Sequence, residues 1–480
     1  MAWRSDIRIE FEWIAEQLRK RGFKRTVSFD GEAAGFTIDT RTDCQGRIYV
    51  ALKGENLDGH DFVGAAVDGG ASAVIVDRDW MMGSTDVVEE LREKGSLILD
   101  VDDTLKALQH LAFRWRDRVA PKVLAITGST GKTGTKEIAR SILSGRYRVH
   151  ATEGNYNNHI GLPLTILSMP EDTEVLVVEM GASGRGEIAV LAGIARPDVG
   201  VITNIGPSHL EFFGSLKGVA RAKSELIARM NGKNTVVLPA DDEFFEYLSS
   251  RTEAEIISFG FSESAEFGIK DLTSREDAGF SFSLTGTAME TRRHGKHNVL
   301  NAAAAVAAVS VLGLGPDDAV AAVAASEPVR GRGVIFDIAG LKVIDDSYNS
   351  NPVSLRAAID SFMEMEIEGK RWLVLGDMLE LGKTSAELHA EAGIYCGKAG
   401  VHGLLTLGKD TVSLSREAAV QRKAPESISH FLEVEKLALY LDSMLEGGDA
   451  VLIKGSRGMH MEMVIEELER LRDSEKRRVD

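Results

Sequence analysis

The stretch from Val123 to Thr133 constrains the fold more than any other part of this 480-residue chain. Its apolar residues 123–126 predict a buried strand, and the segment from Gly134 to Leu143 predicts a helix. Between them lies the loop Gly128-Ser129-Thr130-Gly131-Lys132-Thr133. In such a loop, backbone N–H groups and the N-terminus of the helix point towards an anion. We therefore predict a nucleoside triphosphate site, with Lys132 at the outer phosphates and the Thr133 hydroxyl on Mg²⁺.

The loop departs from the usual G-x-x-x-x-G-K-[ST] pattern, because Ile126 stands where the first glycine would be. The alternative is a strand-to-helix turn that contains Gly-Lys-Thr by chance. We favour the phosphate site, because strand, glycine loop, lysine and hydroxyl follow in the order that phosphate binding requires.

The composition is that of a soluble globular protein, with 44% hydrophobic and 27% charged residues. The net charge of −17 argues against nucleic acid as the main partner. Cys44 and Cys396 lie far apart, which favours reduced thiols over a disulfide or a zinc site. No apolar run reaches the ~18 residues of a membrane span. We therefore expect a cytoplasmic protein without membrane insertion. A monomer is the expected oligomeric state.

The length and the pattern of apolar runs predict an α/β protein of three domains, residues 1–119, 120–327 and 328–480. Ala120-Pro121 marks the first boundary, directly after a predicted helix over residues 104–119. The middle block alternates apolar strands with helices, which is typical of a mostly parallel sheet covered on both faces. The predicted strands are residues 46–52, 73–76, 175–178, 199–203, 236–238, 342–344, 372–375, 404–407 and 451–453.

Two polar side chains follow apolar strands of the middle block. Glu179 ends the strand that precedes it, and His209 follows the next strand along the chain. Ligands gather at the carboxyl edge of a parallel sheet, so both could bind Mg²⁺ beside the phosphate loop. A solvated glutamate and a structural histidine are the alternatives, and Mg²⁺ usually prefers oxygen to imidazole nitrogen.

Amide side chains are concentrated at two places. The loop containing Asn155 and Asn158 either forms a turn or binds a substrate. Asn298 and Asn301 lie three residues apart on a predicted helix and can share one face, from which amides could read a nucleobase edge. The alternative for Asn298 is that it caps this helix.

The third block carries two candidate ligand segments. Asp345 and Asp346 follow a predicted strand, where they could bind a ribose or cap the helix that begins near Pro352. Arg330 and Arg332 lie in a glycine-rich segment, Arg-Gly-Arg-Gly, which suits contact with phosphate across a gap between domains.

Together with further motifs, these segments resemble the Mur ligase family of ATP-dependent amide-forming enzymes, and within it the branch that adds D-alanyl-D-alanine. The motifs that carry the resemblance lie in all three blocks: Asp39-Thr40-Arg41, Ala51-Leu52-Lys53-Gly54, Asp58-Gly59-His60-Asp61-Phe62, the T-G-S-T-G-K-T loop, residues 154–163, Asp346-Ser347-Tyr348-Asn349 and residues 375–382. Threonine replaces the more common serine at Thr40 and keeps the hydroxyl.

The resemblance implies an N-terminal α/β domain that binds a UDP-sugar, a central P-loop-type ATPase domain and a C-terminal Rossmann-like α/β domain. It also implies a role for each candidate residue. Gly128, Ser129, Thr130, Gly131, Lys132, Thr133, Asn298, Asn301, Arg332 and Asp346 would bind ATP; Thr133, Glu179, His209 and a carbamylated Lys223 the metal; Thr40, Arg41, Lys53, Asp58, His60, Asn155 and Asn158 the substrates; Lys132, Glu179, His209, Lys223 and Arg332 would act in catalysis.

Lys223 is the residue with the widest range of roles. Residues 219–230 predict a helix that follows the loop of His209 and could direct Lys223 towards the metal. By resemblance it aligns with a lysine that some relatives carbamylate, which would turn a cation into an oxygen ligand. An unmodified lysine that pairs with Glu225 or a phosphate is the alternative.

The implied reaction joins D-alanyl-D-alanine to UDP-N-acetylmuramoyl-tripeptide with ATP and Mg²⁺, through an acyl phosphate, in peptidoglycan precursor synthesis. Another ligase of the family, adding a different amino acid or glutamate to a folate, is one alternative. A non-catalytic, nucleotide-switched scaffold that binds a UDP-sugar is another. The residues leave open whether the third residue of the tripeptide is lysine or diaminopimelate.

Overall fold

The computed structural model describes residues 7–19, 30–275 and 279–479. The chain forms two compact units. One comprises Met1–Ile126, Leu143–Ala182 and Gly186–Gly200, and the other comprises Thr127–Ile142, Ser183–Arg185 and Val201–Asp480. The three domain boundaries expected from the sequence stay predictions.

Short elements make up the chain as far as Pro121. The strands are β1 (Ile9–Glu10), β2 (Glu32–Ala33), β3 (Phe36–Thr37), β4 (Ile48–Val50), β5 (Ala73–Asp77) and β6 (Leu97–Val101), and the helices are α1 (Phe11–Arg19), α2 (Val63–Asp68), α3 (Arg78–Gly83), α4 (Thr85–Glu93) and α5 (Thr104–Val119), with a 3-10 turn at Gly59–Phe62. Strands β3 to β6 form a parallel sheet in sequence order, and β1 pairs antiparallel with β2.

The next segment extends to residue 327. Its strands are β7 (Lys122–Thr127), β8 (Val149–Ala151), β9 (Val175–Glu179), β10 (Val199–Ile202), β11 (Thr235–Pro239), β12 (Glu255–Gly260), β13 (Phe267–Ser274), β14 (Phe280–Leu284) and β15 (Thr287–Thr291). Its helices are α6 (Lys132–Ser144), α7 (Gly161–Leu167), α8 (Glu187–Ala195), α9 (Leu210–Phe213), α10 (Leu216–Lys223), α11 (Phe245–Ser249), α12 (Lys296–Ser310) and α13 (Pro316–Ala324). In the first unit β7 and β8 flank β9, all parallel; in the second, β11, β12 and β13 are parallel.

The last segment is a six-stranded sheet with helices. The strands are β16 (Val334–Ile338), β17 (Leu341–Asp346), β18 (Arg371–Gly376), β19 (Gly403–Leu407), β20 (Ser427–Phe431) and β21 (Ala450–Lys454), and the helices are α14 (Pro352–Glu364), α15 (Ser385–Ala399), α16 (Thr411–Ala419), α17 (Val434–Met444) and α18 (Glu462–Val479), with 3-10 turns at Gly382–Thr384 and Arg457–Met459. The strand order is β16-β17-β21-β18-β19-β20, and all neighbours are parallel except β16 and β17.

This six-stranded sheet is buried on both faces. Successive residues of β21 alternate between two cores: Leu452 packs in one, and Val451 and Ile453 pack in the other. Side chains of a strand point alternately to the two faces, so a strand covered by helices on both sides reads as a continuous apolar run. For this reason the apolar runs in the sequence located β17, β18, β19 and β21, whereas the edge strands β16 and β20, which are only partly buried, were not predicted.

All ten strands predicted from the sequence, residues 123–126 included, are present, and helix α5 has the predicted bounds. The sequence supplies both ends of this helix. The Asp103 side chain accepts a hydrogen bond from the backbone N–H of Lys106, which is a typical N-cap. Ala120 has a left-handed backbone (φ 52°) and precedes Pro121, so the helix cannot continue.

Two helix predictions were wrong in extent. Helix α6 begins at Lys132, two residues earlier than expected, so the lysine itself occupies the first turn. Helix α10 covers Leu216–Lys223 instead of residues 219–230. Ser215 caps its N-terminus by accepting a hydrogen bond from Gly218, and turns follow from Ser224 onwards.

An antiparallel sheet of β13, β14 and β15 was not foreseen within the mostly parallel middle block. Strands β14 and β15 form a hairpin whose two-residue turn, Thr285-Gly286, has positive φ at both positions, 50° and 90°. That geometry matches the right-handed twist of the flanking strands. The alternating sequence Phe280-Ser281-Phe282-Ser283-Leu284 is the signal that could have identified it.

Among the helices in the described residues, none combines the length and the hydropathy needed to cross a membrane.

Gly403→Ala should destabilise the six-stranded sheet, because a Cβ at this position would overlap the ring of Trp372, its register partner on β18. Trp372 is 2% exposed and cannot move without disturbing the core. We expect a loss of about 1–3 kcal/mol in the free energy of unfolding, measured by urea denaturation. Gly447→Ala is the control, since no atom lies within 4 Å of a Cβ built there. Equal midpoints for the two variants would contradict this packing argument.

Candidate active site

The phosphate loop, residues 128–133, is backed so closely by other residues that two of its positions have no room for a side chain. A Cβ on Gly128 would overlap the hydroxyl of Thr203, and a Cβ on Gly131 would overlap the side-chain amide of Asn301. Both glycines also have positive φ, 151° and 81°, a conformation that other residues rarely adopt. The backbone of the loop is therefore held against its support.

A second loop, after β10, fixes the phosphate loop from the side. The backbone N–H of Thr130 donates to Asn204 Oδ1 at 3.0 Å, and the N–H of Ser129 donates to the Asn204 carbonyl at 3.1 Å. The Ser129 hydroxyl donates to the Gly206 carbonyl at 2.9 Å. These bonds fix the shape of the loop, which reduces the ordering that a phosphate group would have to impose.

Lys132 and Thr133 open helix α6, at the end where helix N–H groups attract anions. Lys132 Nζ donates to the carbonyl of Gly128 at 2.9 Å, so its ammonium lies over its own loop. Thr133 is buried, with 5% of its surface exposed. One turn further, the buried Lys136 pairs with Glu137 at 2.7 Å. Burial raises the pKa of Glu137, but Lys136 and Arg140 outweigh this and hold it below its ordinary value.

Asn301 lies against the phosphate loop. The side-chain amide of Asn301 is the group that a Cβ built on Gly131 or on Gly134 would meet first. Asn301 is buried, with 8% of its surface exposed. Asn298 does not cap helix α12, as one interpretation of the sequence held. The N-cap is Gly295, and the Asn298 amide donates to the carbonyl of His294. The contact of Asn301 with the loop gives it a supporting role, and contact of either amide with adenine stays a prediction.

His209 has a left-handed backbone (φ 52°) at the start of the short helix α9. Its Nδ1 atom contacts the carboxylate of Glu380, and its ring packs edge-on against Phe213, with 6.3 Å between centroids. The hydrogen bond from His209 holds the pKa of Glu380 below its ordinary value. A carboxylate on one nitrogen orients the imidazole and leaves Nε2 for a ligand, an arrangement typical of metal-binding histidines.

Lys223 is the last residue of α10 and is 2% exposed. Its ammonium lies 5.9 Å from the centroid of the Phe213 ring, on the side chain that also packs against His209. The structure therefore places Lys223 and His209 around one aromatic ring, although the helix that carries Lys223 ends earlier than the sequence predicted.

The two consecutive aspartates of the third block have different partners. Asp345 is 4% exposed; its Oδ1 accepts from the Ser347 N–H at 3.1 Å, and its Oδ2 accepts from the Gly331 N–H at 3.1 Å. Asp346 pairs through Oδ2 with Lys454 Nζ at 2.7 Å. Neither caps helix α14, because its N-cap is Asn351, which accepts from the Ser354 N–H at 2.9 Å. The capping interpretation was wrong.

Arg332 is stacked on an aromatic ring. Its guanidinium carbon lies 4.1 Å from the centroid of Tyr348, and Arg457 lies 5.9 Å from the same ring. The tight turn at Gly331 makes this possible, because its φ is 76° and its N–H is held by Asp345. A stacked guanidinium keeps its donors in plane for a phosphate, which suits the predicted role.

In the first unit, Glu179 ends β9 with 2% of its surface exposed, and its Oε1 accepts from the Asn157 amide at 2.7 Å. Asn157 was not singled out from the sequence, although it lies between two amides that were. Asn158 Oδ1 accepts from the N–H of Gly161 at 2.8 Å, so it forms the local turn that starts α7. Asn155 is exposed. The cluster thus combines a turn with a residue that orients Glu179.

A pocket of about 490 Å³ lies beside the carboxyl ends of β5 and β6. It brings together three predicted substrate residues, Lys53, Asp58 and His60. It also contains two that the sequence analysis missed, Arg78 and Trp80, a cation and an aromatic ring suited to a nucleotide. Thr40 and Arg41, both among the described residues, lie outside this lining; the Arg41 side chain is 89% exposed and pairs with Asp39 at 2.7 Å.

His60 is buried at the base of this pocket, with 2% of its side chain exposed. Its Nδ1 lies 2.6 Å from Asp58 Oδ1, and its Nε2 accepts from the Asp77 N–H at 2.9 Å. The backbone N–H and the ring of His60 together lower the pKa of Asp58. Both imidazole nitrogens are therefore used within the protein, which favours a positioning role for His60 over direct contact with a substrate.

Three family models match consecutive parts of the chain. The Mur ligase family catalytic domain matches residues 32–116, the Mur ligase middle domain residues 126–309, and the Mur ligase glutamate ligase domain residues 331–457. The UDP-N-acetylmuramoyl-tripeptide–D-alanyl-D-alanine ligase of Bacillus subtilis (strain 168) is 38% identical over 437 residues, covering 90% of this chain and 93% of that one. The chain belongs to the Mur ligase family.

Solved Mur ligases share the fold over nearly the whole length. MurF from Acinetobacter baumannii has a TM-score of 0.84 and 28% identity, and covers 97% of this chain and 100% of its own. MurF from Thermotoga maritima, in complex with ADP, has a TM-score of 0.78 and 30% identity, and covers 92% of this chain and 98% of its own. This Mur ligase therefore has three domains of mixed α/β structure with parallel sheets, as the sequence predicted.

The candidate metal ligands of this Mur ligase are a hydroxyl, a carboxylate and an imidazole, on Thr133, Glu179 and His209. Within residues 7–19, 30–275 and 279–479, no three His, Cys, Asp or Glu side chains cluster closely enough to hold a metal by themselves. Mg²⁺ is usually held by one or two protein side chains together with phosphate oxygens and water. The oxygen donors of Thr133 and Glu179 have the chemistry that Mg²⁺ prefers, and their assignment to one metal site stays a prediction.

Gly131→Ala should weaken the binding of ATP to this Mur ligase about tenfold or more, because the new Cβ would displace the loop from Asn301 and strain its backbone. Isothermal titration calorimetry measures the change. Gly286→Ala is the control, since it has φ 90° but open space around a Cβ, far from the loop in sequence. An affinity of Gly131→Ala within twofold of the parent would show that the close packing has no part in phosphate binding.

His60→Ala should lower the free energy of unfolding by about 1–3 kcal/mol, because the N–H of Asp77 loses its acceptor in a buried position. Arg41→Ala should leave the stability unchanged, since that side chain is exposed. Thermal and urea unfolding of the two variants test this. Unchanged stability of His60→Ala combined with loss of uridine nucleotide binding would instead assign His60 to the substrate.

Proposed function

We propose that this chain is an ADP-forming ligase that uses ATP to join D-alanyl-D-alanine to UDP-N-acetylmuramoyl-tripeptide, in peptidoglycan precursor synthesis. The observation that carries the nucleotide part is the phosphate loop, in which Gly128 and Gly131 leave no space for a side chain and Lys132 begins the helix. The relatives that match nine-tenths of the chain bear the name of this activity, which supports the choice of substrates.

The chemistry explains why a phosphate site and a peptide substrate belong together. A carboxylate does not condense with an amine in water, because oxide or hydroxide would have to leave. Transfer of the γ-phosphoryl group of ATP to the carboxylate gives an acyl phosphate and ADP. The amine of the dipeptide attacks this carbonyl, the tetrahedral intermediate collapses, and phosphate departs with the C–O electron pair while the amine gives up a proton.

The charged residues would act mainly by positioning and by neutralising phosphate charge. Lys132 donates to the Gly128 carbonyl, so its ammonium lies at the phosphate loop. Arg332 is held in plane by Tyr348 and could meet the γ-phosphate. Asp346 would accept a hydrogen bond from the ribose. Each role is a proposal that the contacts of these side chains support.

We infer that Mg²⁺ binds with ATP, with the Thr133 hydroxyl and the His209 imidazole of the second unit as its protein ligands, and the metal role of Glu179 stays a prediction. When bound, the ion would neutralise charge on the phosphate oxygens. Asn157 donates a hydrogen bond to Glu179, and Glu380 contacts His209, so these two side chains each have a partner that orients them. Lys223, buried beside Phe213, would join this set if carbamylated.

The UDP end of the substrate would lie in the pocket of Lys53, Asp58, Arg78 and Trp80. Arg41 and Thr40 could reach it from outside the lining, as could Asn155 from the exposed amide loop. Both cysteines are free and buried, which supports a cytoplasmic location. A monomer acting on small-molecule substrates is the expected working form.

Lys132→Ala should reduce ligation about a hundredfold or more, because a charge that stabilises the transferring phosphoryl group is lost. Phosphate release by the parent and by the variant is measured in the presence of both ATP and UDP-N-acetylmuramoyl-tripeptide, with and without D-alanyl-D-alanine. The parent should release phosphate in proportion to ligated product and only with the dipeptide present. Tripeptides ending in lysine and in diaminopimelate, run side by side, identify the preferred third residue.

Lys233→Ala is the matched control, an exposed lysine of the same unit, and should retain full activity. Activity of Lys132→Ala within tenfold of the parent would remove Lys132 from the mechanism. Phosphate release that is indifferent to the dipeptide, without ligated product, would favour a nucleotide-switched scaffold.

A further inference from the structure

Lys454 is a buried cation at the edge of the six-stranded sheet where ligands gather. It is the last residue of β21 and only 2% of its side chain is exposed. Its ammonium donates to Asp346 Oδ2 at 2.7 Å and to the carbonyl of Asn349 at 2.8 Å. A lysine is rarely buried unless it is paired, so these two acceptors explain how the sheet tolerates it.

The pairing follows from the register of the sheet. Strands β17 and β21 are parallel neighbours, and Asp346 is directly opposite Lys454 at their carboxyl ends. The pair leaves the Asp346 side chain 21% exposed, so the carboxylate still reaches the surface. The described hydrogen bonds of Asp346 use Oδ2, which leaves Oδ1 as the oxygen that could accept from a ligand.

The neighbouring aspartate cannot replace it. Both oxygens of Asp345 already accept from the backbone or hydroxyl of Ser347 and from Gly331. Lys454 in turn is too deeply buried to meet a phosphate itself. Of these three charged groups, Asp346 is therefore the one that a ligand can contact, and its hydrogen bond with Lys454 determines which way the carboxylate faces.

We propose that Lys454 is a positioning residue of the nucleotide site: by binding Oδ2 of Asp346 and the carbonyl of Asn349, it holds the carboxylate with Oδ1 turned towards the ribose hydroxyls of ATP. The inference rests on the proposed function for the identity of the ligand. It adds a residue that contributes to the binding of the ribose and does not contribute to the binding of the phosphates.

The test is equilibrium binding of ATP, 2′-deoxyATP and 3′-deoxyATP to the full chain, by isothermal titration calorimetry. The parent should bind the deoxy analogue that lacks the hydroxyl donating to Asp346 about tenfold more weakly than it binds ATP. Lys454→Met keeps the length of the side chain and removes the charge. It should bind ATP about tenfold more weakly, and bind the corresponding deoxy analogue as the parent does, so that the discrimination disappears.

Two further variants separate positioning from structure. The double variant Asp346→Asn/Lys454→Met should discriminate between ATP and its deoxy analogues to the same extent as Asp346→Asn alone. The two changes remove the same interaction, so their effects should not add. Lys454→Arg keeps the charge and should retain part of the discrimination; if Lys454→Met does not fold, this variant and Lys454→Gln carry the comparison. Lys342→Met is the matched control, an exposed lysine on β17 that donates to the Glu366 carbonyl at 3.2 Å, and should behave as the parent.

Affinities for ATP and both deoxy analogues that fall in parallel in every folded Lys454 variant would overturn the proposal, and so would unchanged discrimination. Because binding is measured without the peptide substrates, this result is independent of ligation. A chain that discriminates as expected but forms no amide would contradict the proposed function and support the role of Lys454.

Discussion

The close contact between the phosphate loop and the side chains behind it is the constraint on which the candidate active site depends. Thr203 and Asn301 come from a strand end and a helix far apart in sequence, yet both touch positions where the loop has no Cβ. The glycines serve two purposes at once: they permit positive φ, and they let the backbone approach its support. The backbone of such a loop is fixed by the protein itself, and the N–H groups of Ser129 and Thr130 are already used in holding it to Asn204.

Several charged side chains of the candidate active site are paired with an opposite charge. Lys136 pairs with Glu137, Lys454 with Asp346, and His209 with Glu380. In each pair one member is more exposed than the other and keeps part of its surface accessible. Removing the carboxylate that pairs with Lys136 or Lys454 would leave a buried charge uncompensated, which is costlier than losing the attraction alone. In the pairs of Lys136 and Lys454, the buried cation therefore sets the orientation of the more exposed carboxylate.

Apolar runs were sufficient to locate strands, because strands buried on both faces carry little else. The loop at residues 128–133 was also found from the sequence, since a strand, two glycines and Lys132 are adjacent in the chain. The antiparallel strands β13 to β15 were missed because their alternating pattern interrupts a block of parallel strands. Helix α10 was misplaced because Ser215 starts it earlier than its apolar residues suggest.

The partners of polar side chains were harder to predict than the elements that carry them. Asp345 and Asp346 are adjacent and chemically identical, yet one holds a turn and the other faces outward. The difference comes from Lys454, more than a hundred residues away, which the order of strands in the sheet brings opposite Asp346. Lys454 directly follows the apolar run at residues 451–453, as Glu179 follows the run at residues 175–178. The signal that identified Glu179 could therefore have identified Lys454 as well.

Strand order is thus the information that the sequence lacks and the active site needs. Strand β21 is inserted between β17 and β18, so the last strand of the chain lies at the centre of its sheet. The carboxyl ends of β17 and β21 then lie side by side, and a residue at each end can form a pair that no local pattern predicts. A parallel sheet aligns the carboxyl ends of its strands at one edge. For this reason a residue that contacts a ligand and the residue that orients it can lie on strands that are far apart in the sequence.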